Sequence, residues 1–334
     1  MKLPAHIVLC TEADADVGLG HAVRCAGLLR ALRREYKLTV MGGGSLLRQF
    51  FPAANHVPAP NWTQLDWTRM DLPRPDLVLA DIPVYRQRDW DRVRCPGAAL
   101  VAIDDHGGCV PADLVINGTV MPEYQRYDTS RPPNRLCVGP AYALIRPEFA
   151  ATPWQGATST VVTAMFGSGA QAREWALALA AAGSTSLRGR RLRLVVGNGF
   201  DALTLLGSLC ANRGIELQVG LSAVALAPLV AGSAAMLVTA GMGLYESVAA
   251  GVPVVAYPQI ADLCSQAAWF AHRGACINLG LGNAAPETAT RALVALLADP
   301  QALRAMSDRQ RTLLDGRGVA RVAALLDTLL EARP

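Results

Sequence analysis

The stretch Asp16-Val-Gly-Leu-Gly-His-Ala-Val-Arg24 decides the fold class of this 334-residue chain. It follows a short apolar run, Ile7-Val-Leu-Cys10, and leads into a segment from His21 to about Glu35 whose apolar side chains recur at helical spacing. A buried strand, a glycine turn and an amphipathic helix are the first parts of a βαβ unit, the crossover that parallel strands need. The stretch therefore predicts an α/β fold with a parallel sheet.

Short apolar runs alternate with helical segments along the rest of the chain. Strands are predicted at His6–Cys10, Leu38–Met41, Leu77–Ala80, Ala99–Ile103, Leu114–Ile116, Thr160–Met165, Arg193–Val196, Ile215–Gln218, Ala235–Val238 and Val254–Tyr257. The alternation restarts after the linker-like segment Ala150–Gly156, and a last long helix is expected over Pro300–Glu331 with breaks around Gly316. We therefore expect two Rossmann-like domains with mostly parallel sheets, which comprise residues 1–150 and 157–334. The last helix is a candidate to pack back on the first domain. Paired domains of this kind bind ligands in a central cleft, at the carboxyl ends of both sheets.

The composition argues against several classes of protein. The formal net charge is only +4, and the basic residues form no block of the kind that binds nucleic acid. No apolar run reaches the length of a membrane span without interruption. The eight cysteines form no Cys-x-x-Cys pair and no zinc-type cluster with histidine, which favours reduced thiols in a cytoplasmic protein without a metal site. The sequence carries no signal of oligomeric state.

The turn before the first helix places His21 directly after Gly18-Leu-Gly20. Glycines permit a tight turn and the close approach of a ligand, and a helix N-terminus favours anions. An imidazole at such a position tends to be neutral, so His21 is a candidate general base. The alternative is that the glycines only permit the turn and that His21 caps the helix, and the spacing leaves both interpretations open.

Charged side chains surround this turn. Asp14 and Asp16 precede it, and they either hydrogen-bond a sugar or cap the helix. Arg24, one turn into the helix, either reaches a phosphate or lies on a solvated helix face. Asp81 and Asp105 follow predicted strands, at the ends where α/β folds bind ligands, and the alternative is that they are turn residues.

Three glycine-rich turns follow strands of the second half. They are Gly167-Ser168-Gly169, Gly197-Asn198-Gly199 and Gly241-Met242-Gly243. The third begins a helix, and such a helix start can hold a diphosphate on its backbone N–H groups. Glu246, expected in the first turn of that helix, either accepts hydrogen bonds from both hydroxyls of a ribose or complements the helix dipole.

Four stretches, in this order, resemble a known family: Gly18–Arg24, Ile103–Asp105, Ala112–Asn117 and Gly139–Phe149. They are similar to the UDP-2,4-diacetamido-2,4,6-trideoxy-β-L-altropyranose hydrolase of pseudaminic acid synthesis and to its spore-coat polysaccharide relatives. Gly139–Phe149 is the most specific match. The segment Thr239–Pro253 resembles the nucleotide-binding half of that family and of the wider GT-B group, which includes the N-acetylglucosaminyl transferase of peptidoglycan synthesis.

The resemblance implies a GT-B architecture in which the second domain holds UDP and the sugar faces the first domain. It assigns the catalytic role to His21 and a contact with the ribose to Glu246. Three stretches depart from the family's pattern: Asp81–Tyr85, where the expected tyrosine is displaced to Tyr85, Gly167–Ala170 and Asp262–Leu263. These departures leave the sugar and the nucleotide open.

The leading expectation is a nucleotide-sugar hydrolase that needs no cofactor and no metal. Water attacks the anomeric carbon, and a nucleoside diphosphate leaves from the backbone amides near Gly241–Gly243 and Gly167–Gly169. One alternative is a GT-B glycosyltransferase, which transfers the sugar to an acceptor. Another is a nucleotide-sugar binding protein that has lost catalysis.

Overall fold

The computed structural model of this chain describes residues 4–13, 19–44, 46–58, 62–83, 89–167, 170–183, 187, 189–197, 199–281 and 285–332. They form two compact units. Unit 1 combines Met1–Leu144 with Arg317–Pro334, and unit 2 comprises Ile145–Gly316. Each unit has a parallel sheet of its own, as the alternation of strands and helices predicts.

Unit 1 contains a seven-stranded sheet of order β3-β2-β1-β4-β5-β6-β7, and its strand pairings are parallel. The elements before residue 144 are β1 (Ala5–Thr11), α1 (Gly20–Arg30), β2 (Tyr36–Gly42), α2 (Leu47–Phe50), β3 (Asn55–Pro58), β4 (Leu77–Asp81), α3 (Trp90–Val93), β5 (Ala99–Ile103), β6 (Leu114–Asn117) and β7 (Leu136–Val138). Side chains alternate between the two faces, so Ile7 and Leu9 join one core cluster while Val8 and Cys10 join another. Strands β4, β5 and β6 are buried along their whole length because both faces are covered.

Unit 2 contains a six-stranded sheet of order β10-β9-β8-β11-β12-β13, again with parallel pairings. Its elements are α4 (Pro147–Ala151), β8 (Val161–Phe166), α5 (Ala170–Ala182), β9 (Arg191–Val196), α6 (Leu203–Arg213), β10 (Glu216–Val219), α7 (Ala223–Ala231), β11 (Ala235–Val238), α8 (Met242–Ala250), β12 (Val254–Ala256), α9 (Ala261–His272), β13 (Ile277–Asn278), α10 (Pro286–Leu297) and α11 (Pro300–Leu313). Strand β11 is fully buried between β8 and β12. It leads directly into the turn that begins α8.

The last helix, α12 (Gly318–Glu331), belongs to unit 1 and packs against α1. Its first residue must be small, because a Cβ on Gly318 would lie 2.1 Å from the carbonyl oxygen of Ala143. The boundaries therefore differ from the predicted domains 1–150 and 157–334. Unit 2 begins at Ile145, since α4 packs on α7 and α8, and it ends at Gly316, whose φ of 65° turns the chain between α11 and α12.

Each predicted strand overlaps an observed one, and the sequence pattern misses seven of the elements labelled above. Three of them are the edge strands β3, β7 and β13, which are partly exposed or only two residues long and so have no continuous apolar run. Three more are the helices α2, α3 and α4, which at four or five residues are too short to show helical periodicity. The seventh is α6, in which only Leu206 and Cys210 are buried. A helix with so few buried positions shows little of the periodic apolar pattern from which helices are predicted.

Candidate functional site

The carboxyl ends of three neighbouring strands bring the candidate site of unit 1 together. Strand β1 leads towards α1, β4 ends at Asp81, and Asp105 lies two residues beyond β5. The order of the sheet changes direction between β1 and β4, which is where open α/β sheets bind ligands. His21 is the second residue of α1, and the N-cap position at Leu19 has no side-chain hydrogen bond. His21 therefore does not cap the helix.

His21 forms a hydrogen bond with Asp81. The distance from Nδ1 of His21 to Oδ1 of Asp81 is 2.7 Å. An ionised carboxylate only accepts hydrogen bonds, so Nδ1 carries the proton and donates it to this bond. Among the residues that the structure describes, none hydrogen-bonds Nε2. The arrangement orients the imidazole with its basic nitrogen, Nε2, available to a substrate.

Arg24 joins two carboxylates and does not lie on a solvated helix face. Its Nε and Nη2 donate to Asp81 at 2.7 and 2.6 Å, while Nη1 and Nη2 donate to Asp105 at 2.9 and 2.8 Å. The Arg24 side chain is 13% exposed. The expectation that Arg24 reaches a phosphate loses its support, because the guanidinium is already paired with acids.

Burial and pairing act in opposite directions on the charges of this cluster. Burial alone would raise the pKa of Asp81, but Arg24 and His21 hold the pKa of that carboxyl well below its usual range. Burial also opposes the charge of Asp105, and Arg24 again lowers the pKa of the carboxyl. The two carboxylates raise the pKa of Arg24 despite its burial. Both acids and the guanidinium are therefore charged at neutral pH.

The neighbouring Asp104 has a structural role. Its Oδ2 accepts hydrogen bonds from the backbone N–H of Gly107 and from the hydroxyl of Tyr127, at 2.7 and 2.9 Å. Asn117, at the end of β6, donates to the same hydroxyl at 2.8 Å. These bonds fix the turn after β5 and thereby the position of Asp105. The stretch Ile103–Asp105 thus contains one acid that shapes the turn and one that contacts Arg24.

Several predicted site residues lie outside the described residues. They are Asp14, Asp16, Gly18, Tyr85, Ser168, Gly169 and Asn198. Their roles stay predictions. Gly20 is the first residue of α1, while Gly167 and Gly197 directly follow β8 and β9. A Cβ added to Gly167 or Gly197 would meet no atom of the other described residues within 4 Å.

The turn Gly241–Gly243 begins α8, as the sequence predicts. Gly241 occupies the N-cap position without a side-chain hydrogen bond, and the first turn of α8 contains no acidic residue. Within the described part of the chain, a Cβ on Gly241 would meet no atom within 4 Å. The backbone N–H groups of Met242 and Gly243 lie at this end of the helix. Together with the helix dipole, such groups favour an anion such as a diphosphate.

Glu246 lies beyond the first turn of α8 and is paired with an arginine. Its Oε1 and Oε2 accept hydrogen bonds from Nε and Nη2 of Arg146 at 2.6 and 2.9 Å, and its side chain is only 2% exposed. Burial raises the pKa of Glu246 although Arg146 opposes this. The alternative of a helix-dipole partner is not supported, since the carboxylate is outside the first turn. The ribose contact stays a prediction, and a ribose would have to share this carboxylate with Arg146.

Arg146 is the residue that the sequence reasoning did not assign. It lies within Gly139–Phe149, the most specific stretch of the resemblance, and its guanidinium also stacks over the ring of Phe149 at 4.9 Å from the ring centre. The sequence does contain a signal for Arg146, because it directly follows an apolar run that is expected to be buried. A buried arginine needs an acidic partner. The sequence does not indicate which acid that is.

Within the described part of the chain, no three side chains of the His, Cys, Asp or Glu type gather in a way that could hold a metal ion. None of the helices described combines the length and the apolar character that crossing a membrane requires.

Two comparisons of sequence show what this chain is similar to. The sequence model of the family described as UDP-glucoronosyl and UDP-glucosyl transferase matches residues 232–307, which contain the α8 turn and Glu246. The spore coat polysaccharide biosynthesis protein SpsG of Bacillus subtilis (strain 168) is 22% identical over 341 residues, which cover 98% of this chain and 99% of the relative. The expected likeness to spore-coat polysaccharide proteins is thereby confirmed.

Solved structures establish the fold. MurG of Acinetobacter baumannii has a TM-score of 0.62 at 15% identity, with 97% of this chain and 100% of the other covered. A UDP-N-acetylglucosamine 2-epimerase has a TM-score of 0.59 at 13% identity, with 99% and 98% covered. The chain has the two parallel-sheet Rossmann-like domains of GT-B proteins such as MurG, so the predicted fold class is confirmed.

Proposed function

We propose that this protein is a hydrolase that acts on a nucleotide-activated sugar, with UDP as the nucleotide and an amino or deoxy sugar as the product. The observation that carries the proposal is the 2.7 Å hydrogen bond between His21 and Asp81. It commits Nδ1 to an ionised acid and leaves Nε2 as the ring nitrogen that can accept a proton. This is the arrangement with which enzymes remove a proton from a hydroxyl group or from water.

In the proposed reaction, Nε2 of His21 accepts a proton from water as its oxygen bonds to the anomeric carbon. The bond between that carbon and the diphosphate oxygen breaks, and the diphosphate leaves with the electron pair. The imidazolium that forms is stabilised by Asp81, which stays ionised because Arg24 lowers its pKa. Residues of unit 1 thus supply the base for the attacking group.

The proposed nucleotide site is in unit 2. The N-terminus of α8 has an uncapped glycine and no acid in its first turn, which suits the charge that develops on a leaving diphosphate. The match of residues 232–307 to a family of UDP-sugar transferases supports UDP as the nucleotide. The similarity to a spore coat polysaccharide biosynthesis protein supports a sugar destined for, or related to, a polysaccharide.

Transfer to an acceptor is the second candidate. It is favoured by the same family match, whose printed description names transferases. In that case His21 removes the proton from an acceptor hydroxyl instead of from water, and the other steps are unchanged. The geometry of His21 and Asp81 serves both reactions, so the attacking group has to be identified by experiment.

One experiment separates hydrolysis, transfer and binding without catalysis. The protein is incubated with a panel of UDP-sugars, with and without cell extract, and the release of UDP is followed by phosphorus NMR. Release without extract supports hydrolysis, whereas release that requires extract supports transfer. Tight binding without any release supports a binding protein.

His21→Ala tests the proposed base. We expect turnover to fall by about one hundred to ten thousandfold, the usual contribution of a general base. His272→Gln, at an exposed position in the last turn of α9, is the matched control and should retain activity. Full turnover of His21→Ala on the true substrate would contradict the proposed role.

A further inference from the structure

Asp105 hydrogen-bonds the guanidinium of Arg24, which lies beside both His21 and Asp81. We propose that Asp105 is a positioning residue that selects the tautomer of His21. Because Asp105 occupies Nη2 of Arg24, Asp81 stays the hydrogen-bond partner of Nδ1 of His21. The lone pair of the neutral ring then stays on Nε2. This inference rests on the proposed role of His21 as the base.

Two neighbours of Nδ1 demand opposite protonation states. Oδ1 of Asp81 lies 2.7 Å away and can only accept, so this bond requires a proton on Nδ1. Nη2 of Arg24 lies 3.3 Å away and can only donate, so a bond from it requires a lone pair on Nδ1. A neutral imidazole carries one ring proton. If Arg24 donated to Nδ1, that proton would move to Nε2, which could then no longer act as a base.

Asp105 weakens this competition. Nη2 of Arg24 carries two hydrogens, and the structure gives each of them a carboxylate: Oδ1 of Asp81 at 2.6 Å and Oδ2 of Asp105 at 2.8 Å. The contact of Nη2 with Nδ1 of His21, at 3.3 Å, is the longest of the three. Oδ1 of Asp105 also accepts from Nη1 at 2.9 Å, which fixes the plane of the guanidinium. Without Asp105, one Nη2 hydrogen becomes available to Nδ1.

The charges act in the same direction. Asp81, Asp105 and Arg24 together leave a net charge of minus one beside the imidazole. Without Asp105, Arg24 would neutralise Asp81, and the attraction of Asp81 for the proton on Nδ1 would weaken. The other described group in contact is the thiol of Cys25, which donates to Oδ2 of Asp81 at 3.3 Å and whose pKa burial raises, so it adds no charge.

The test reads the tautomer of His21 directly. Protein labelled with nitrogen-15 histidine is examined by imidazole nitrogen–proton correlation NMR at a pH where the imidazole is neutral, and His21→Gln identifies the signal. We expect Nδ1–H in the wild type. In Asp105→Ala the Nε2–H form should increase by about fivefold, the factor that corresponds to one ordinary hydrogen bond.

Asp105→Asn and Asp105→Glu are the controls in case Asp105→Ala fails to fold. Asparagine keeps one acceptor without the charge, so the shift should be smaller but in the same direction. Glutamate restores both acceptors and should restore the Nδ1–H form. Asp308→Ala removes an acid that pairs with Arg311 on the exposed face of α11, and it should leave the tautomer unchanged. A folded Asp105→Ala protein with the wild-type tautomer would overturn the proposal.

Activity measurements separate this proposal from the proposed function, because the tautomer is read without substrate. If the tautomer changes but no nucleotide sugar is cleaved, the role of Asp105 stands and the hydrolase proposal fails. If UDP is released, Asp105→Ala should lower kcat with little change in KM. Unchanged kcat together with an unchanged tautomer would refute the role of Asp105 while leaving the hydrolase proposal intact.

Discussion

At the scale of the residue, Asp81 is the group on which the unit 1 cluster depends. Its carboxylate accepts hydrogen bonds from His21, Arg24 and Cys25, and its side chain is only 1% exposed. A carboxylate so deeply buried would be unfavourable without these donors. The same bonds that stabilise its charge also orient the imidazole, so stability and the proposed chemistry depend on one side chain.

Asp81→Asn should destabilise unit 1 in a pH-dependent way. Loss of one partner from a buried ion pair costs about 3–5 kcal/mol, because the other partner keeps its charge without compensation. The folded-state pKa of Asp81 is below its unfolded value of about 3.9, so the stabilisation is present above that pH and is lost as the pH falls below it.

Urea unfolding of wild type and Asp81→Asn at pH 7, 5, 4 and 3 measures this effect. The difference in the free energy of unfolding should narrow as the pH falls from 4 to 3, where Asp81 would be protonated in the unfolded chain. A difference that grows between pH 4 and 3 would contradict the ionised, paired state of Asp81. Asp308→Asn, on an exposed pair, is the control and should show little pH-dependent change.

At the scale of the element, α8 combines a free N-terminus with a buried body. Its residues from Leu244 to Ala250 are buried, while Gly241, Met242 and Gly243 are partly exposed. The helix is held by its apolar contacts and by the pair of Glu246 with Arg146, so its N-terminal N–H groups are not needed to stabilise the fold. They remain available for an anion.

Gly241→Asp should separate stability from nucleotide binding. Aspartate is a preferred N-cap residue, so the variant should be as stable as wild type or more stable by about 1 kcal/mol. Its negative charge should repel a diphosphate and raise the Kd for UDP by about tenfold or more. Calorimetric titration with UDP, together with thermal unfolding, checks both directions.

Gly241→Ala is the matched variant for this test. There is room for its Cβ, and the φ of −82° at this position suits an alanine. It should bind UDP nearly as well as wild type. If Gly241→Asp bound UDP with wild-type affinity, the diphosphate would not lie at the N-terminus of α8.

At the scale of the whole molecule, the chain crosses from unit 2 back to unit 1 after Gly316. Leu326 of α12 is fully buried in the same core cluster as Ile7 and Leu28, although about 300 residues separate them in the chain. The C-terminal helix therefore contributes to the core that underlies the sheet with Asp81 and the helix α1 with His21. Unit 2, by contrast, is continuous in sequence.

Leu326→Ala should weaken unit 1 selectively. Removal of a buried leucine side chain costs about 2–5 kcal/mol. Hydrogen exchange should therefore accelerate in β1 and α1 and remain unchanged in β8 and α5. Leu293→Ala, in the core of unit 2, is the matched variant and should show the opposite pattern. Faster exchange in unit 2 upon Leu326→Ala would contradict the assignment of α12 to unit 1.

The sequence alone determined the alternation of strands and helices, the fold class, and the place of His21 and Gly241 at helix starts. These features depend on near neighbours in the chain, through apolar periodicity and glycine turns. Only the tertiary structure decided which side chains meet. Asp81 and Asp105 lie 57 and 81 residues from Arg24, and Glu246 lies 100 residues from Arg146. Such pairs follow from the order of the strands in each sheet. The sequence of a uniformly apolar strand does not indicate which strands lie beside it.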